Sequence, residues 1–253
     1  MNIKDKVALI TGAAKGIGKG CASVFAEAGA YVAVVDIDEK AGPTTVDEIR
    51  EAGGKAQFFR CDVSKTEEVQ ALIRAVLEEL GRIDILFNNA GYHISKNVEQ
   101  TSEEEWDYII NTNLKSVFLC SKFAMPHLRE TKGCIINTSS MVGIVGQSSA
   151  GAYAASKGGI VAMSKGMALD FAKDGIRVNC ICPGWIQTPL SEDWFGQQDD
   201  PDAAREYIYS RHPFGRIGTV EECGRAALFL ASSDAAFVTG VALGVDGGIT
   251  LGY

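Results

Sequence analysis

Tyr153 and Lys157 stand four residues apart in Tyr153-Ala154-Ala155-Ser156-Lys157. On a helix that spacing puts both side chains on one face. A free phenol has a pKa of about 10 and is a poor base at neutral pH. An ammonium beside it stabilises the phenolate, and a cationic nicotinamide would add to the effect. Such a phenol can move a proton to or from an alcohol or carbonyl oxygen. The Tyr-x-x-x-Lys spacing is common by chance, so the chemistry depends on partners. Ser140 closes the apolar run Ile135-Ile136-Asn137-Thr138-Ser139-Ser140, and a hydroxyl there can hydrogen-bond a substrate oxygen beside the phenol. Its neighbour Ser139 reads as an ST-turn leaving the strand. Asn113 falls inside a long helical pattern, where asparagine is unfavourable, and so hints at a water-holding site.

A second constellation suits a dinucleotide. The first apolar run ends in Thr11-Gly12-Ala13-Ala14-Lys15-Gly16-Ile17-Gly18. Glycines at a strand-to-helix turn let the backbone approach a pyrophosphate, which then meets helix N-terminal N–H groups. The spacing is Gly-x-x-x-Gly-x-Gly rather than the Gly-x-Gly-x-x-Gly of most dinucleotide folds. Asp36 ends the second run, where a carboxylate can accept hydrogen bonds from the adenosine ribose and repel a 2′-phosphate. NAD is therefore expected over NADP. Asp38 adds to the same field, whereas Lys15 opposes it unless it turns to solvent. Ile37 beside Asp36, Asp62-Val63 after the third run, and Asn89-Ala90-Gly91 after the fourth are assigned to the same site.

The elements that must position these residues alternate along the chain. Runs at 7–11, 31–35, 56–60, 83–88, 133–138, 176–182 and 240–245 read as strands. They are continuously apolar, as in a sheet covered on both faces. Helical patterns lie near 16–29, 40–53, 66–80, 103–130, 151–174 and 219–231. The alternation predicts one α/β domain over 1–253, a doubly wound parallel sheet with helices on both faces. Residues 190–214 interrupt the rhythm and read as a lid or binding loop. Ser102 with Glu105 three residues on predicts a capping box at a helix start.

The chain has 253 residues, is 46% hydrophobic and carries a net charge of −8. It can bury a sizeable core, and without a basic run it makes a poor partner for nucleic acid or anionic membranes. No stretch approaches the ~20 apolar residues of a membrane helix. The N-terminal segment does not read as a signal peptide. Seven scattered cysteines suggest free buried thiols, with no metal-ligand spacing. A cytoplasmic location is the expectation.

Taken together, Thr11-Gly-x-x-x-Gly-x-Gly18, Asp62, Asn88-Asn89-Ala90-Gly91, Asn113, Ser140, Tyr153-x-x-x-Lys157, Pro183-Gly184 and Thr188 resemble the short-chain dehydrogenase/reductase family. The resemblance covers nearly the whole chain in the right order. It implies a seven-stranded Rossmann sheet of order 3-2-1-4-5-6-7, an oxidoreductase acting on CH–OH groups, and a homotetramer packed through the helices near 103–130 and 151–174. It implies Tyr153 as acid/base and Lys157 lowering its pKa while gripping the ribose. Ser140 would position the substrate oxygen, Asn113 would hold a relay water, Ile186 and Thr188 would contact the nicotinamide carboxamide, and Pro183 and Gly184 would belong to the cofactor site.

A narrower likeness is to the L-fucose dehydrogenase branch, also described as hydroxysteroid dehydrogenases. It rests on Asn89-Ala90-Gly91-Tyr92-His93, the stretch 140–147, the stretch 183–190 and the ending Gly247–Tyr253. It implies oxidation of an aldose or another secondary alcohol, with substrate contacts from His93, Gln147, Trp185 and Trp194 and with Tyr253 reaching a neighbouring subunit. For the two tryptophans, packing within the lid is an equal alternative, and for His93 a solvated loop position is. Two rival readings are an enzyme working reductively on a ketone or acyl-carrier thioester, and a regulator that binds NAD without chemistry.

Overall fold

The computed structural model describes residues 1–251. Seven strands form one sheet: β1 (Val7–Thr11), β2 (Tyr31–Asp36), β3 (Lys55–Arg60), β4 (Ile85–Asn88), β5 (Cys134–Thr138), β6 (Arg177–Pro183) and β7 (Ala242–Val245). Their order is β3-β2-β1-β4-β5-β6-β7, and every pairing is parallel. Strand order reverses between β1 and β4, the place where open α/β sheets bind ligands at their carboxyl ends. Each strand predicted from sequence is present. The strands at 83–88 and 240–245 start two residues late, because Ile83 and Asp84 lead into β4 as loop and Gly240 takes a left-handed φ of 74°.

The helices are α1 (Gly16–Glu27), α2 (Ala41–Glu51), α3 (Thr66–Leu80), α4 (Glu103–Ile109), α5 (Ser116–Thr131), α6 (Gly151–Phe171), α7 (Pro189–Gly196), α8 (Pro201–Ser210) and α9 (Val220–Ala231). Continuous strands of Val, Ile, Leu and Ala bury both faces of the sheet. One layer packs β1, β2 and β5 side chains such as Ile10, Val34 and Ile136 against Cys21 and Phe25 of α1 and Ala227 of α9. The other packs Leu9, Val35 and Ile135 against Val69 and Val76 of α3 and Leu119 and Leu128 of α5. Gly20 lets α1 and α9 approach closely, since a Cβ there would lie 2.5 Å from Val220.

Two expectations change. The predicted single helix over 103–130 is divided by a π-helical turn, Ile110–Lys115. The predicted lid loop 190–214 is mostly helical, as α7 and α8. Thr188 caps α7 reciprocally with Ser191, Pro189 opens it, and the Asp200 carboxylate accepts from Ala203 N–H at the start of α8. The Ser102–Glu105 capping box is present as expected. All seven cysteines are buried and free. Among the described residues no helix is long and apolar enough to cross a membrane.

Candidate active site

The nucleotide side is built from backbone. Gly12 and Gly16 take left-handed φ angles of 63° and 55°, which favour glycine. A Cβ on Gly18 would lie 2.1 Å from the Gly12 carbonyl oxygen, so only glycine allows this turn to close on α1. The start of α1 has no side-chain cap and no acidic residue in its first turn. Its N–H groups therefore present an electropositive end suited to a pyrophosphate. The turn is braced from both sides. Asn89 donates through Nδ2 to the carbonyls of Thr11 and Gly12 at 3.1 Å, and Thr11 Oγ1 accepts from the N–H groups of Asn89 and Ala90. Asn89 is thus a strut of the turn, tied also to Thr138.

Asp36, at the end of β2, accepts from Ala14 N–H through Oδ2 at 3.0 Å and from Asp38 N–H through Oδ1 at 3.1 Å. Lys15 is exposed to solvent and at the same time paired: its Nζ lies 2.8 Å from Asp38 Oδ2. Ile37 between the two acids is exposed, and Val63 is buried beside Asp62, whose Oδ1 accepts from Ser64. Thr188 lies across from Gly16. Ile186 is buried where its segment pairs with Gly218, and Gly184 passes against Asp246. The glycine turn, the helix end and these strand ends fit a dinucleotide.

The chemical side is built from buried side chains. Tyr153 and Lys157 share one face of α6, as their spacing predicts. Lys157 Nζ donates to the Thr138 carbonyl at 2.8 Å and stands 5.7 Å from the Tyr153 ring centroid. Burial pulls its pKa down to about 8. Burial pushes the Tyr153 phenol up, and the Ser140 hydroxyl partly offsets that. Ser140 thus faces the phenol directly, while the Lys157 ammonium lies beside the ring. The ST-turn expected at Ser139 belongs to Ser140, whose Oγ accepts from Val142 N–H at 3.2 Å, while Ser139 Oγ donates to the Lys157 carbonyl.

Asn113 sits in the π-helical turn and is fully buried. Its Oδ1 accepts from Tyr92 N–H at 2.7 Å, and its Nδ2 donates to the Tyr92 carbonyl at 2.9 Å and to Ser156 Oγ at 3.1 Å. The side chain thus holds protein rather than facing open solvent. π-Helical turns gather at functional sites because they loosen the regular ladder. Ser156 donates in turn to the Tyr153 carbonyl at 2.7 Å. The residue after Tyr92 is His93, whose ring meets Tyr153 edge-on with centroids 4.7 Å apart. A closed circuit results: Tyr153, Ser156, Asn113, Tyr92, His93 and back to Tyr153. Burial lowers the His93 pKa, which favours the neutral imidazole.

Sequence reasoning missed Ser156 and Thr138, and it read Thr11 only as the head of the glycine turn. Ser156 carried a usable signal, a small polar residue on the buried side of the Tyr-to-Lys helix turn. The remaining substrate candidates separate. Gln147 lies in an exposed loop. Trp185 and Trp194 pack against each other and Phe195 with centroids 4.8, 5.6 and 5.4 Å apart, forming the small core of the lid with Ile208 and Ile217. Of the two readings of the tryptophans, lid packing is the one this geometry displays. Tyr253 lies outside the described residues.

Comparison with known proteins agrees with this geometry. A family model described as enoyl-(acyl carrier protein) reductase matches residues 12–250. An L-fucose dehydrogenase of Oryctolagus cuniculus is 43% identical over 98% of this chain and 86% of its own length. A 3-oxoacyl-(acyl-carrier-protein) reductase of Thermotoga maritima is 40% identical over 99% of this chain and 100% of its own. A meso-2,3-butanediol dehydrogenase of Serratia marcescens is 39% identical over 99% and 96%. The crystal structure of a levodione reductase superposes with a TM-score of 0.95 at 34% identity, covering 99% of each chain. The chain belongs to the short-chain dehydrogenase/reductase family and is an oxidoreductase acting on CH–OH groups, with a nicotinamide nucleotide, NAD or NADP, as the family's cofactor.

Proposed function

We propose that the protein oxidises a secondary alcohol or aldose with NAD, and that Tyr153 is the base. The observation that carries this reading is the half-buried Tyr153 side chain, with Ser140 offsetting its raised pKa and Lys157 beside its ring. Bound NAD supplies the hydride acceptor. Ser140 orients the substrate hydroxyl toward the phenol, and Tyr153 as phenolate takes the hydroxyl proton. Lys157 holds positive charge near the site below about pH 8, favouring the phenolate and the ribose hydroxyls. Asn113 acts by fixing loop 89–93 against α6, and its remaining acceptor capacity at Oδ1 suits a relay water. Asp36 supports NAD over NADP, because its carboxylate at the end of β2 would face a 2′-phosphate with like charge.

Relatives named for L-fucose and butanediol support a small hydroxylated substrate. His93 is the substrate-contact candidate that the geometry favours, beside Tyr153. The lid adds exposed apolar groups, Leu190, Tyr207 and Phe214, which favour a lipophilic alcohol as the second reading. The same residues run a ketone reduction with Tyr153 as acid, the direction in which the reductase relatives are named. Self-association as a homotetramer is supported by large exposed apolar side chains on α4, α5 and α6, namely Trp106, Tyr108, Phe118 and Leu169. A panel of aldoses, polyols and hydroxysteroids, scored by NADH formation with purified protein, tests the substrate reading. Turnover on an aldose or polyol is expected. Turnover confined to hydroxysteroids would move the assignment to the second reading, and NAD binding without turnover would favour a regulator.

A further inference from the structure

The pairing of Lys15 with Asp38 gives the glycine turn a property beyond the reading just proposed, although it rests on that reading. We propose that Asp38 is a specificity-determining residue for the nucleotide: by holding the Lys15 ammonium, it withholds the cation of the glycine turn from a 2′-phosphate.

Lys15 alone favours NADP, because a base at this turn can pair with the phosphate. Asp36 alone favours NAD. The two residues pull in opposite directions, and what decides between them is where the ammonium sits. It sits on Asp38, with Nζ 2.8 Å from Oδ2. Asp38 is not a loose surface acid. Its other oxygen accepts from the N–H groups of Lys40 at 3.0 Å and Ala41 at 2.9 Å, at the start of α2. Its own N–H donates to Asp36 Oδ1. The carboxylate is therefore fixed by the backbone on one side and free for Lys15 on the other. Those N–H groups and Lys15 hold it ionised down to about pH 2. Lys15 and Asp38 line an open groove of about 770 Å³ outside the glycine turn, together with Lys19, Lys40, Thr44 and Glu221. A phosphate reaching for Lys15 meets an ammonium already paired with Asp38, with the Asp36 carboxylate bonded to the neighbouring backbone.

An exposed ion pair is weak in water and can be pulled apart by a dianion. The effect expected is therefore several-fold rather than thousand-fold. The test is direct titration of the purified protein with NAD and with NADP by calorimetry, comparing dissociation constants in wild type, Asp38→Asn, Lys15→Ala and the double variant. Asparagine keeps the acceptor oxygen for the N–H groups of Lys40 and Ala41 and removes only the charge. Asp38→Ser, another capping residue, repeats the charge removal if the asparagine variant folds poorly. Asp38→Asn is expected to improve NADP binding relative to NAD by about five- to tenfold, and the gain should vanish when Lys15 is absent. No gain, or the same gain without Lys15, overturns the proposal. Asp36→Ala, titrated alongside, tests the NAD reading separately. A wild type that binds NADP as tightly as NAD would sink that reading while leaving the Asp38 comparison between variants intact. Failure of wild type to bind either nucleotide would overturn both.

Discussion

The two halves of the sheet's carboxyl edge are built on opposite principles. On the β1–β3 side, selectivity rests on backbone shape and on charges open to water. Gly12, Gly16 and Gly18 set the turn, and Asp36, Asp38 and Lys15 arrange charge around it. On the β4–β6 side, the reacting groups are buried, or half-buried in the case of Tyr153, and nearly all neutral. Asn113, Ser140 and Lys157 are all at most 8% exposed, and one desolvated lysine is the local charge. The difference follows from what each side must do. Choosing between two nucleotides takes a modest charge bias, which water and salt can screen without harm. Moving a proton on a phenol takes a charge and a hydrogen-bonding hydroxyl held in place out of water, where both act more strongly.

Lys157 is where this contrast breaks most visibly. Its folded-state pKa of about 8 lies below the unfolded value of 10.5. The unfolded chain therefore holds the extra proton between those values, so stability rises as pH climbs from 8 to 10.5 and the full penalty applies below 8. A gap of that size corresponds to about 3 kcal/mol, an upper bound because the bond to Thr138 offsets part of it. Lys157→Met is expected to lose about 10²–10⁴-fold in kcat and yet to be about 1–3 kcal/mol more stable at pH 7, the gain shrinking toward pH 10.5. Urea unfolding across that pH range reads it out. A variant less stable at every pH would contradict a desolvated lysine.

Ser156 sharpens the contrast from within the buried side. Removing its hydroxyl in Ser156→Ala opens the circuit that sets His93 against Tyr153. The expected cost is about 1 kcal/mol in stability and about tenfold in kcat, with the NAD dissociation constant unchanged. Ser156→Thr should recover part of kcat, whereas a purely structural serine would lower stability and leave kcat alone. The smallest effect belongs to the exposed side. Asp36→Ala should raise the NADP-to-NAD preference by about tenfold or less, measured as a ratio of dissociation constants, and an unchanged ratio would remove Asp36 from nucleotide selection.

Much of this was legible in the chain. The strands announced themselves because buried parallel strands are continuous runs of Val, Ile and Ala. Tyr153, Lys157, Ser140 and the glycine turn stood out because their chemistry needs fixed types at fixed spacing. Other features were not legible, for physical reasons. The π-helical turn at 110–115 depends on Asn113 reaching Tyr92, 21 residues away. The Lys15–Asp38 pair joins two loops through tertiary geometry, so sequence alone showed two opposing charges and not their contact. The lid read as loop because its two helices are short and carry acidic and glycine residues. Their caps, Thr188 with Ser191 and Asp200 with Ala203, become decisive only once the helices can pack Phe195 and Ile208.

The most direct measurement concerns Tyr153. NADH formation and carbonyl product should be equimolar in wild type on an alcohol from the panel. Tyr153→Phe, which keeps the ring against His93 and removes only the hydroxyl, should lower kcat by about 10²–10⁴-fold while calorimetry shows NAD bound as before. Turnover within a few-fold of wild type in that variant would contradict Tyr153 as the base.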